Sequence, residues 1–109
     1  MLEKKQLQKE MKKIEGKPWH PIELAKVNEA FVRMALLKGE YQWHKHTNED
    51  EMFLVIKGEF IMHLKEQEDI TLKEGEMITI PRGMEHKPNA KEEAYVLLFE
   101  RQDIITKGD

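Results

Sequence analysis

The chain has 109 residues, 39% of them apolar and 36% charged, with a formal net charge of −3. That describes a single well-solvated domain, and it excludes a basic nucleic-acid binder because no basic stripe is interleaved with aromatics. No apolar run approaches the roughly 18 residues needed to cross a bilayer, and the absence of cysteine excludes disulfides and thiolate metal sites.

The first stretch, residues 2–15, reads as a helix. Leu7, Met11 and Ile14 fall at spacings of four and three among Lys, Glu and Gln, which makes a narrow apolar stripe. Gly16 is a stop signal, and Pro18 and Pro21 prevent continuation. Residues 1–16 are therefore expected as an N-terminal helix and 17–109 as one domain. The charged N-terminus lacks a secretory apolar region, so a cytoplasmic location is expected.

From Ile22 onward the pattern is β. Ile22–Val27, Ala30–Leu37, Tyr41–His46, Met52–Lys57, Phe60–Lys65, Ile70–Lys73, Glu76–Pro81 and Ala94–Glu100 read as short strands. They are separated by polar or Gly-centred turns such as Thr47–Asp50 and Lys57-Gly58-Glu59. Many short strands of this kind predict an all-β sandwich or barrel. Residues 101–109 read as a short, partly ordered tail.

Two strands are apolar on both faces: Met52, Leu54 and Ile56 oppose Phe53 and Val55, and Tyr95, Leu97 and Phe99 oppose Val96 and Leu98. A barrel wall that meets water should alternate apolar and polar residues. The outer face is therefore covered, by the N-terminal helix or by a second subunit, and a homodimer is expected.

The chemistry concentrates in the histidines. On a strand, His44 and His46 share a face and lie about 7 Å apart. A single His on a strand is more often exposed or hydrogen-bonded than a ligand. Here Glu51 opens the next apolar run and His86 follows a Pro-Arg-Gly turn. Three imidazoles and one carboxylate from separate strands are a donor set for a divalent first-row metal. His20 and His63 have no such context and are expected to be non-ligands, with His63 turned outward from a strand whose Phe60, Met62 and Leu64 face the core. Gln42 shares parity with the two histidines and is expected at the cavity, while Trp43 and Lys45 point out. Arg33, in the apolar strand Ala30–Leu37, needs a partner: an anionic substrate group or a Glu of the same chain.

Gly39, four residues, His44-Lys45-His46, four residues, Glu51, six residues and Gly58 resembles the first cupin motif. Gly75, five residues, Pro81-Arg82-Gly83, two residues, His86 and then Asn89 resembles the second. The first gap is one residue shorter than usual and Asn89 one position early, and neither departure displaces a ligand position. The resemblance, to a small single-domain cupin, implies a double-stranded β-helix (a jelly-roll barrel). It places the metal ligands at His44, His46, Glu51 and His86. In that frame Gly58 and Gly75 suit turns with positive φ, Pro81 and Gly83 aim His86 inward, and Asn89 hydrogen-bonds local backbone.

Such a site accommodates Zn, Mn, Fe or Ni and leaves coordination positions for water or substrate. Its affinity should fall below about pH 6.5, because the imidazoles must be neutral. The expectation is a metal-binding cupin of unassigned reaction, with three functions open to it: a metalloenzyme on a small oxygen-bearing molecule (a dioxygenase or a sugar-phosphate-type isomerase), a small-molecule binding or sensor module, or a barrel used mainly for assembly, with the metal stabilising the fold. No catalytic acid or base stands out beyond the ligands.

Overall fold

A computed structural model of the protein describes residues 2–101 and 108. The elements are α1 (Leu7–Lys13), β1 (Ile22–Val27), β2 (Ala30–Glu40), β3 (Glu51–Lys57), β4 (Glu59–Leu64), β5 (Ile70–Lys73), β6 (Met77–Ile80) and β7 (His86–Arg101). All pairings are antiparallel. The strand order is β1-β2-β7-β3-β6, with β4 pairing both β7 and β5.

The 16-residue β7 organises the barrel because both walls use it. Its first residues pair with β4, His86 opposite Leu64 and Asn89 opposite Ile61. Its second half runs between β2 and β3, with Val96 opposite both Ala35 and Val55. The strand therefore carries His86 at one end and apolar wall residues at the other. This is the jelly-roll arrangement with a short N-terminal helix.

Inside the barrel, Phe53, Val55, Phe60, Met62, Leu64, Leu72, Ile80, Val96 and Leu98 form one buried cluster, with Ala35 and Leu37. The alternation of β3 and β4 explains it, since Phe53 and Val55 on one strand and Phe60, Met62 and Leu64 on the next share the inward face. A second cluster lies outside the barrel wall, where Ile14 packs on Leu24, Met34, Leu36 and Tyr95, joined by Met11, Ile56 and Leu97. This is the covered outer face expected for strands that are apolar on both sides, and Met11 of α1 with Ile14 just beyond it supply part of the cover. The helix is shorter than the 2–15 expected, and Leu7 of the stripe is 39% exposed.

Two strand expectations need correction. Tyr41–His46 is not a strand: it joins the sheet by one bridge, between His44 and His86. Residues His86–Arg101 form one strand, longer than the expected Ala94–Glu100. The charged run Lys91-Glu92-Glu93 is its exposed middle. Gly58, at φ +87°, makes the β3–β4 turn; a Cβ there would lie 2.7 Å from the Glu93 carbonyl oxygen, so the site demands glycine twice over. Of the expected C-terminal tail, residues 102–107 and 109 lie outside the described residues.

Candidate metal centre

His44, His46, Glu51 and His86 converge, with one ligand atom from each within 4.8 Å of the others. Glu51 is the first residue of β3 and points into the barrel with Phe53 and Val55. His86 opens β7 and is 0% exposed. The two loop histidines are aimed by backbone contacts. His44 exchanges both main-chain hydrogen bonds with His86, at 3.0 and 2.8 Å, and the His46 carbonyl accepts from Gly83 N–H at 2.8 Å. The Asp50 carboxylate accepts from Arg82 N–H at 2.9 Å, which ties the His46–Glu51 loop to the turn that leads into His86.

Two of the tautomers are set by neighbouring carbonyls. His44 Nδ1 lies 3.0 Å from the Gln42 carbonyl oxygen and His86 Nδ1 lies 2.9 Å from that of Met84. A carbonyl can only accept, so each Nδ1 carries the proton and each Nε2 presents a lone pair. This backbone anchoring orients the rings as donor-ready ligands. Gln42 therefore acts through its main chain; its side chain is exposed rather than facing the cavity.

Charge and burial give the cluster its character. His46 Nε2 is 3.2 Å and His86 Nε2 3.6 Å from Glu51 Oε1. None of these three buried atoms has an aligned hydrogen-bond partner, and neither does His46 Nδ1. Each such buried polar atom costs about 1–3 kcal/mol when left unsatisfied. A cation among them would satisfy the two Nε2 atoms and the oxygen at once, so the residues present fit a divalent metal. Burial lowers His44 to about 4, which keeps its imidazole neutral. Burial pushes the Glu51 carboxyl up, but the facing His46 and His86 and the adjacent Glu100 outweigh it and hold Glu51 below the usual carboxylate range.

Beside the ligands, a cavity of about 40 Å³ is lined by Trp19, Ala35, Leu37, Tyr41, Phe53, Pro88 and Leu98 together with His44 and Glu51. Trp19 stacks on Tyr41 at 4.7 Å between ring centroids. Its indole N–H donates to the Lys38 carbonyl at 3.0 Å. Burial first, and then the Glu51 charge, raise the Tyr41 hydroxyl, so it stays protonated as a donor. No sequence signal marks Trp19 as a cavity residue. It arrives from the segment between α1 and β1 at φ +66°, fixed by its N–H donating to the Leu36 carbonyl at 2.9 Å.

The remaining expectations sort as follows. Arg33 pairs with Glu100 at 2.7 Å and approaches Glu23 at 3.7 Å: its partner is within the chain. His63 is outside the cluster, 3.0 Å from the Asp69 carboxylate. Asn89 contacts His63 Nε2 at 3.2 Å through its side-chain nitrogen rather than bonding local backbone. Trp43 is 42% exposed with the Lys65 and Lys87 ammonium groups over its ring at 5.1 and 5.5 Å. Glu100, 4% exposed, was not singled out. Its signal was available: it shares parity with Val96 and Leu98 and so faces inward from an apolar strand.

The Bacillus subtilis "Uncharacterized protein YdbB" is 34% identical over 83 residues, covering 76% of this chain and 74% of its own. An Aspergillus fumigatus protein named 3-hydroxyanthranilate 3,4-dioxygenase 2 is 36% identical over 81 residues, which is 70% of this chain but 39% of that one. Among solved structures, a cupin-2 domain containing protein from Shewanella frigidimarina superposes with a TM-score of 0.86 at 34% identity, over 90% of this chain and 94% of that one. Residues 32–100 match the family model of the cupin domain, so a jelly-roll barrel with a buried three-histidine, one-glutamate cluster belongs here to a member of the cupin family.

Proposed function

We propose that this protein binds one divalent transition metal through His44 Nε2, His46, Glu51 Oε1 and His86 Nε2, and acts with it as an oxidoreductase of the dioxygenase kind on a small, largely apolar oxygen-bearing molecule. The observation that carries this reading is the set of buried lone pairs converging without partners. Iron suits the dioxygenase reaction best; zinc, manganese and nickel suit the same ligands. When bound, such a metal supplies Lewis acidity and, as iron, dioxygen chemistry.

The chain's own residues define what the site accepts. Trp19, Leu37, Phe53 and Leu98 exclude water from one side of the ligands, and Tyr41 offers a hydroxyl donor there. None of the lining residues is Lys or Arg, which disfavours sugar phosphates and with them the isomerase alternative. The present cavity has room for about one water-sized molecule. The name of the fungal relative supports ring-type oxidation, although this chain spans well under half of that protein.

A binding or sensor module is the second reading, favoured by the lack, among the described residues that line the cavity, of an acid or base beyond the ligands and Tyr41. Elemental analysis of the purified protein, followed by oxygen-electrode measurements with neutral phenols, separates the two. One iron per chain with oxygen uptake supports the enzyme; metal with tight ligand binding and no uptake supports the sensor; a metal-free protein that takes up none on reconstitution defeats both. We further place the protein in the cytoplasm, as a homodimer of one barrel domain (17–109) preceded by the N-terminal segment (1–16) that carries α1, without nucleic-acid or membrane partners. Among the described residues no helix is long and apolar enough to cross a membrane.

A further inference from the structure

Three side chains behind the cluster form a line that leads to one of its donors. Glu51 and Glu100 sit on the neighbouring strands β3 and β7, one residue beyond the paired Met52 and Phe99. Both face the barrel interior, at 6% and 4% exposure, and as the next opposed positions of that antiparallel register their side chains adjoin. On its far side Glu100 meets Arg33 Nη1 at 2.7 Å. Arg33 is itself held by Glu23 at 3.7 Å and lies over the Phe31 ring at 4.9 Å. We propose that Glu100, anchored by Arg33, is a positioning residue for metal binding: it fixes the rotation of the Glu51 carboxylate so that Oε1 faces His46 and His86, and it keeps the Arg33 guanidinium off Glu51.

This role presupposes the metal site proposed above and follows from two physical points. A glutamate side chain has three rotatable bonds, and a ligand left free to turn loses affinity through the entropy of ordering it. Partners behind a ligating carboxylate therefore tune affinity, with losses of about 10–100-fold when they are removed. Second, a buried guanidinium that loses its carboxylate seeks another. Without Glu100, Arg33 keeps Glu23 at 3.7 Å but gains room toward Glu51, the inward-facing anion of this line, and an Arg33–Glu51 pair would compete directly with a cation. Glutamine at position 100 would keep the shape, still donate to Glu51 through its amide nitrogen and still accept from Arg33 through its oxygen.

The test is the dissociation constant for zinc, measured by chelator competition on the folded protein, together with the visible spectrum of the cobalt-loaded form. Glu100→Leu should weaken zinc binding by about 10–100-fold and alter the cobalt bands, Arg33→Met should weaken it by several-fold, and Glu100→Gln should stay within about threefold of the parent. A purely structural role would lower the melting temperature of Glu100→Leu while leaving zinc affinity and the cobalt spectrum of the folded fraction intact, and that result overturns the inference. If Glu100→Leu fails to fold, Arg33→Met decides: parent-like affinity and spectrum overturn the inference. Should the parent chain bind neither metal, the metal-site reading itself falls and this inference with it.

Discussion

His46 is held in place without a hydrogen bond on either ring nitrogen, although it is 2% exposed. In the metal-free chain this ring is a burden on stability, and it becomes useful once a cation arrives. Replacing it with alanine should therefore abolish stoichiometric metal while leaving the metal-free barrel folded. The expected reading is a fall from about one metal per chain to a background level by mass spectrometry, with an unchanged far-ultraviolet spectrum. Retained stoichiometric metal would show that His46 is no ligand. His44 gives a second prediction at this scale. Burial holds its imidazole at about 4 against an ordinary 6.5, so between these values the unfolded chain binds the proton and the folded chain does not. Metal-free stability should thus decline as pH falls from 6.5 to 4 and level off below. The partial exposure of the ring trims its share to about 1–2 kcal/mol. Urea melts of the parent and of His44→Gln at pH 7 and pH 4.5 read this directly: the pH dependence should be shallower in the variant, and equal slopes would refute it.

At the scale of elements, legibility depended on how much each stretch owed to its own pattern. β3 and β4 were plain because their short apolar runs and the glycine turn between them agreed. The four cluster residues were legible too, because motif spacing survives errors in the local backbone: Tyr41–His46 is a loop with one bridge, yet His44 and His46 still meet, their ring centroids 5.2 Å apart. What the sequence concealed was decided by contacts across the fold. The exposed run Lys91-Glu92-Glu93 stays extended because β7 is paired on either side of it, and Trp19 reaches the cavity through a backbone bond to β2. The helix tests the same distinction between pattern and context. Seven residues are too few for an isolated helix to hold together in water, so α1 depends on Ile14, just beyond its end, and on Met11 against the outer wall. Ile14→Ala should cost about 2–5 kcal/mol and release the helix. The measurement is a denaturant melt paired with hydrogen exchange over residues 7–14; protection that persists there would mean that other contacts anchor the helix.

The whole molecule leaves one surface of the barrel unexplained by a single chain. On the outer wall, Met11 of α1 and Ile14 cover part of the area that carries Met34, Leu36, Tyr95 and Leu97. The rest follows the same strands toward Phe99, which pairs across to Val32 and Met52, and toward Met77, which pairs with Leu54. Phe99 is 42% and Met77 61% exposed, while Val32, Met52 and Leu54 are half-buried. This apolar area continues a wall that is apolar on both faces, and a second copy of the chain would offer a matching self-complementary surface. Light scattering at micromolar concentration should give twice the mass of one chain. Placing charge at the centre of the patch with Phe99→Glu and Met77→Lys should shift the mass to that of one chain. The side chains of His46, Glu51 and His86 point inward, so the separated chains should keep their metal. A single-chain mass for the parent protein would remove the dimer, and a dimer undisturbed by both substitutions would move its interface elsewhere.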